Sequence, residues 1–190
     1  MEFDAGNGER VVKRIAMIVM VLWCALNMIG ASHAAHQSQE EFSADAIRLG
    51  CTVSFPKQFH AISDDPLSTP LFDVSVEWHC RDGETAIIDK YEIDGSSPEI
   101  STFFYWQGHS MVVLVKWSVN SQASDYVGDY YKVFSYRYER VGAEGRFVKN
   151  ETIMKNFPAG LDGRSKNGLR IIYPFKNAAS IRKRLQRLND

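Results

Sequence analysis

The side chains with the clearest capacity for chemistry are two cysteines and the two histidines near them. Cys51, His60, His79 and Cys80 together offer two sulfur and two nitrogen donors, a set that a tetrahedral zinc ion accepts. The spacing argues against a metal, because neither pair has the short loop of a zinc knuckle. Adjacent residues on a strand also point to opposite faces, which aims His79 away from Cys80. A disulfide between Cys51 and Cys80 is the better expectation for a chain that leaves the cytoplasm, since an oxidising compartment pairs two such thiols. It would close a loop of about 30 residues, worth roughly 3–4 kcal/mol in the chain-entropy account. Once paired, these cysteines leave no thiol for nucleophilic work.

Catalytic constellations are otherwise thin. The sequence contains no Gly-x-Ser-x-Gly elbow, no His-Glu-x-x-His, no P-loop and no Gly-x-Gly-x-x-Gly. His109-Ser110 has the residue types of a base and a nucleophile, but it sits in a turn, where a histidine is ordinarily a solvated side chain. Carboxylates are frequent at Asp64, Asp65, Asp82, Glu84, Asp89, Glu92 and Asp94. Two of them at the right separation would serve glycoside hydrolysis, whereas turns and strand faces account for them without chemistry. Asp125 and Asp129 flank Gly128 without matching an EF-hand loop. The reading is no catalytic residue, no metal and no cofactor. Asn150-Glu151-Thr152 is a glycosylation sequon, relevant only where the source modifies exported chains.

The elements that would position these residues begin after an N-terminal segment. Lys13 and Arg14 precede the apolar run Ile15 to Ile29, followed by small residues at Ser32 and Ala34. This is the pattern of a secretory signal over residues 1–35, cleaved after Ala34 or Ala35. The run is shorter than the ~20 apolar residues of a membrane span and contains Asn27. Cys24 lies inside it after bulky Trp23, unlike a lipoprotein signal. The expectation is therefore a periplasmic chain with no stable membrane span after cleavage. Residues 36–190 form one exported β-rich domain, whose first residues, His36 to about Phe42, read as a polar mobile tail.

Within that domain the pattern is one of strands. Phe72, Val74, Val76 and Trp78 alternate with Asp73, Ser75, Glu77 and His79, as a half-buried strand does, and the disulfide is expected to tie this strand to an edge. Arg81 to Glu84 is a turn, and Ala86 to Ile93 the next strand. Ile100 to Tyr138 is dense in aromatic and β-branched residues cut by Gln107–Ser110 and by a polar loop, which predicts three adjacent antiparallel strands. Met111, Val113, Val115 and Trp117 share one face and Val112 and Leu114 the other, so this strand is expected to be central and covered twice. The aromatic row Tyr130, Phe134, Tyr136, Tyr138 is read as packing, at roughly 0.2–1 kcal/mol per cross-strand pair. Arg146 to Asn150 is a short strand, Phe157 to Gly168 a long loop, and Leu169 to Tyr173 a last strand. Asn177 to Leu188 is a helix with Asn177 or Ser180 as cap and Ile181, Leu185 and Leu188 at helical spacing. The fold class is α+β, predominantly antiparallel sheet of about six or seven strands, with a C-terminal helix and one disulfide.

The net charge is −1, but it is unevenly placed. Residues 37–100 carry 13 acidic and 4 basic residues, whereas residues 164–190 carry 8 basic and 1 acidic. If folding keeps these apart, the acidic part suits a basic partner and the basic helix suits phosphate or lipid headgroups. No nucleic-acid-binding motif accompanies the basic helix, and none is expected of an exported chain.

Two pieces carry a resemblance: Val127-Gly128-Asp129-Tyr130-Tyr131-Lys132-Val133-Phe134, and Tyr173-Pro174-Phe175-Lys176 leading into Ala179-Ser180-Ile181-Arg182-Lys183-Arg184-Leu185. With the export signal and a single disulfide, they resemble bacterial periplasmic immunity proteins associated with type VI and contact-dependent toxin effectors. The resemblance implies a stable, non-enzymatic domain that binds a cognate toxin and blocks its active site. It assigns no residue. A blocker needs aromatic anchors and complementary charge on a rigid scaffold, and the turns carry them: Trp106, Gln107 and His109, and the acidic turn with Asp82 and Glu84. The competing expectations are a secreted hydrolase of cell-wall material, marked by a cleft lined by two or more carboxylates, and an envelope adaptor or solute-binding module.

Overall fold

The computed structural model describes residues 40–60, 69–120, 124–142 and 144–189. The expected export signal, residues 1–35, lies outside the described residues. Eleven strands and two helices are seen among them, in two antiparallel sheets.

The first sheet contains β1 (Glu41–Ser43), β2 (Cys51–Ser54), β3 (Lys57–Phe59), β4 (Phe72–Cys80) and β5 (Thr85–Tyr91). β4 is its spine: β2 pairs with the Glu77–Cys80 end, β3 with the Phe72–Val74 end, and β5 along the opposite edge. The alternation of β4 places Val74, Val76 and Trp78 in the core. β5 carries one extra residue, Ile88, opposite the step from Val76 to Glu77, so the bulge belongs to β5 and β4 keeps its parity. Cys80 therefore shares the inner face with Trp78. Its partner Cys51 lies directly across the β2–β4 ladder and is buried, and the two are joined as a disulfide. The bond links two neighbouring strands at the core, with β1 outside β2; it does not staple an edge. Nor is the segment up to Phe42 a loose tail throughout: Phe42 lies on β1, its ring 4.8 Å from that of Phe103.

The second sheet contains β6 (Pro98–Trp106), β7 (Ser110–Val119), β8 (Tyr126–Val141), β9 (Glu144–Lys149), β10 (Gly160–Ser165) and β11 (Arg170–Ile171). β7 lies between β6 and β8, and the long β8 is paired on its far side twice, with β10 along its first part and β9 along its last. β7 is covered on both faces as its composition predicts. Met111, Val113, Val115 and Trp117 meet Val53, Val76, Trp78 and Tyr91 of the first sheet. Val112 and Leu114, with Tyr131 and Val133 of β8, meet Phe157, Tyr173, Ile181 and Leu185. Each large buried aliphatic side chain contributes roughly 1.5–3 kcal/mol.

A four-residue helix, α1 (Glu151–Met154), follows β9, with Asn150 Oδ1 accepting from Ile153 N. The terminal helix α2 (Ala178–Asn189) forms the third layer and begins where its cap predicts: Asn177 Oδ1 accepts from Ser180 N at 2.9 Å. The sheets hold more strands than the sequence suggests: β1, β2 and β3 precede the first expected strand, and the expected loop over Phe157 to Gly168 contains β10. Gly163 lies opposite Gly128 in the ladder. A Cβ on either would come within 2.8 Å of the other's Cα and 2.5 Å of Tyr126 Oη, so the tyrosine occupies the space that two side chains would need. Glycine here permits close approach of a strand; it does not mark a loop.

Candidate functional site

Three turns meet at one end of the sandwich. The β6–β7 hairpin closes with Trp106 opposite Ser110, leaving Gln107, Gly108 and His109 as its loop. Gln107 and Gly108 both have positive φ, 52° and 67°. For glycine this costs nothing, whereas for glutamine it costs roughly 1–2 kcal/mol and needs outside support. Two hydrogen bonds supply it. His109 Nδ1 lies 2.6 Å from the Gln107 carbonyl, which only accepts, so the ring carries its proton on that nitrogen. The His109 carbonyl in turn accepts from Tyr138 N at 2.8 Å. Gly108 abuts the second turn, where its missing Cβ would stand 3.6 Å from Ala46 O.

That second turn runs from Ala44 to Gly50, between β1 and β2. Arg48 N donates to Ala44 O at 3.0 Å, and Gly50 N to Asp45 Oδ1 at 2.7 Å. The Gly50 amide holds the Asp45 carboxyl below the usual range. Leu49, at its tip, is 86% exposed. The third turn, Arg81 to Glu84, is bonded to the second, Arg81 N donating to Gly50 O at 3.0 Å.

Arg48 ties the second turn to the third directly and reaches the hairpin through Tyr138. Its guanidinium donates to Asp82, to Glu84 and to Tyr138 Oη. Glu84 Oε1 also accepts from Trp78 Nε1 at 3.0 Å and from Tyr138 Oη at 3.4 Å. Burial pushes the Glu84 carboxyl up, but the Arg48 and Trp78 hydrogen bonds outweigh it and hold the group below the usual carboxylate range. Tyr138 lies over Gly145, whose missing side chain leaves room for the ring.

Of the five residues expected at a contact surface, four lie on turns that the fold brings together and Trp106 ends β6 beside one of them, with unequal roles. Gln107 and His109 are exposed and Asp82 is 56% exposed. Trp106 is half-buried against the second core. Glu84 is 22% exposed and committed to Arg48, Trp78 and Tyr138, so its part is to hold the turns. Sequence reasoning missed Arg48, Leu49 and Tyr138. Gly50 beside Cys51 is the local signal of this turn, one that sequence reasoning did not use, and nothing local tells that the turn meets the other two.

Other constellations were resolved differently. Both cysteines are in the disulfide, while His60 pairs with Asp73 and His79 with Glu77. Among the described residues no group of three or more His, Cys, Asp or Glu converges as a metal site. Among them, too, no helix is long and apolar enough to cross a membrane. A cleft of about 390 Å³ is lined by Asp89, Glu92 and Asp94 together with Lys90, Lys132 and Lys149. Behind it Tyr91 Oη lies 2.8 Å from Tyr136 Oη, which donates to Asp89 Oδ2 at 2.7 Å, and Lys149 Nζ lies 3.0 Å from the same oxygen. Burial pushes both phenols far up, so they stay protonated at neutral pH.

Comparison of the chain with protein-family models, curated proteins and solved structures finds no match.

Proposed function

We propose that this protein is an exported, non-enzymatic binding domain of the periplasmic immunity type, which binds a toxic effector enzyme and blocks it with its turn-bearing end. One observation carries this reading: three turns are locked to one another by Arg48, Tyr138 and their hydrogen bonds, while Leu49, Gln107, His109 and Asp82 face solvent. An apolar tip among polar and acidic groups on a scaffold that need not reorder is what an inhibitory plug requires, because ordering costs are already met in the free protein. The test is retrieval of a periplasmic enzyme by the tagged protein in cells expressing its neighbouring genes, followed by titration with variants. Leu49→Asp and Gln107→Ala/His109→Ala should each weaken binding and inhibition by at least about tenfold. Recovery of no enzyme, or full affinity in both variants, refutes the proposal.

A second reading, a hydrolase of cell-wall glycan, rests on the cleft with Asp89, Glu92 and Asp94. It requires release of reducing ends from purified cell wall, abolished by Glu92→Gln. The ion pair that already occupies Asp89 favours the binding role.

A further inference from the structure

Helix α2 has two unlike faces. Ile181 and Leu185 are buried in the core shared with β7 and β8. Lys183, Arg184 and Arg187 are exposed, and positions 183 and 187, like 184 and 187, are one turn apart, so the three cations border one strip. Several cations on other elements have close partners, Lys149 with Asp89, Lys166 with Asp125 and Lys176 with Asp162, whereas Arg140, Lys155, Arg164 and Arg170 stand in no ion pair among the described residues. Among the described residues Lys183, Arg184 and Arg187 likewise have none.

The strip borders a groove of about 510 Å³ whose other wall includes Pro158, Pro174 and Phe175. Both prolines are exposed, and the Phe175 ring is held edge-on at 4.9 Å from Phe157 and 5.8 Å from Tyr173. The wall is apolar and stiff, and the rim is cationic. Layering preserves this charge. The strands of the first sheet carry Glu41, Asp73, Glu77 and Asp89, and α2 lies on the far side of the second sheet, so a full layer separates its cations from these carboxylates.

We propose that this groove binds an acidic segment of a partner protein: carboxylates pair with Lys183, Arg184 and Arg187, and an apolar side chain rests on Phe175 and the two prolines. Charge complementarity selects the sign of the occupant, and the apolar wall selects a polypeptide over a simple anion. A membrane surface fits less well, because Ile181 and Leu185 are spent on the core and Leu188, 42% exposed, is the one large apolar side chain of α2 left to insert. This surface is separate from the turn-bearing end, so the proposal stands whether or not the blocking role does.

The test is fluorescence anisotropy of the full chain with a labelled peptide of alternating Glu-Asp pairs and single Phe or Leu residues. Binding should weaken about tenfold or more between about 50 mM and about 500 mM salt. It should be lost in Lys183→Glu/Arg184→Glu/Arg187→Glu and kept in Lys166→Glu, whose lysine is paired elsewhere. A peptide with Phe and Leu replaced by Ser should bind several-fold more weakly, a comparison that leaves the protein unchanged. No binding at low salt, or equal binding of the serine peptide, overturns the proposal. So does binding to phosphatidylglycerol vesicles without binding to the peptide, which assigns the face to lipid. Sedimentation showing a dimer that the triple variant abolishes assigns it to a second copy and overturns the proposal too.

Discussion

Replacing Arg48 by methionine tests whether one side chain holds the three turns. Methionine keeps much of the buried stem and removes the guanidinium. Arg48 and Glu84 are 20% and 22% exposed, so their bond is partly shielded, whereas the Asp82 arm reaches a carboxylate that is 56% exposed. A hydrogen bond to a charged group is worth about 1.5–3 kcal/mol, and an exposed ion pair about 0–1. Glu84 retains Trp78 and Tyr138 in the variant, which places the loss near 2 kcal/mol. For a domain of this size that lowers Tm by roughly 4–8 °C. The pH dependence carries a sign. The Glu84 carboxyl is held below its usual range in the folded state; its contribution is therefore present above the unfolded value of about 4.3 and disappears as pH falls through the folded value. Urea unfolding at about pH 7 and about pH 5 should show the full difference between wild type and Arg48→Met, shrinking at about pH 3. A double-mutant cycle with Glu84→Gln isolates the pair. A loss below about 0.5 kcal/mol, or a difference that does not change with pH, would place the stabilisation in stem packing and refute the electrostatic account.

Two further outcomes follow from the scaffold. Cys51→Ala/Cys80→Ala should lose about 3–4 kcal/mol in urea unfolding with a larger m-value, because a sequence separation of 29 residues is no longer closed in the unfolded chain; an unchanged m-value would point to a native-state effect instead. Gly128→Ala or Gly163→Ala should cost about 1–3 kcal/mol or more, since the added Cβ meets the facing glycine and Tyr126; Tyr126→Ala in the same background cannot relieve the backbone contact, so rescue by it would contradict the geometry.

Much of the fold was legible because its signals are local. β7 shows its two apolar faces in consecutive residues, and the cap at Asn177 is a contact across three residues. β10 was not legible, since Gly160-Leu161-Asp162-Gly163 has the composition of a loop and becomes a strand only against Gly128 and Tyr126. Among the candidate contact residues, Asp82, Gln107 and His109 are exposed as turn residues should be. Glu84 has the same local signature, yet faces Arg48, Trp78 and Tyr138, which lie far from it in the chain or are drawn to it by the sheet.

The amino-acid sequence alone determined the strand periodicity, the only pair of cysteines within residues 36–190, and the unequal charge of its two ends, since each is a property of residue order. The tertiary structure decided which turns meet, which carboxylates are consumed in internal pairs, and that the second sheet separates the cations of α2 from the first sheet. The physical reason is range: alternation and capping act over a few residues, whereas the Arg48 cluster and the layering depend on contacts closed only when two sheets and a helix share their cores.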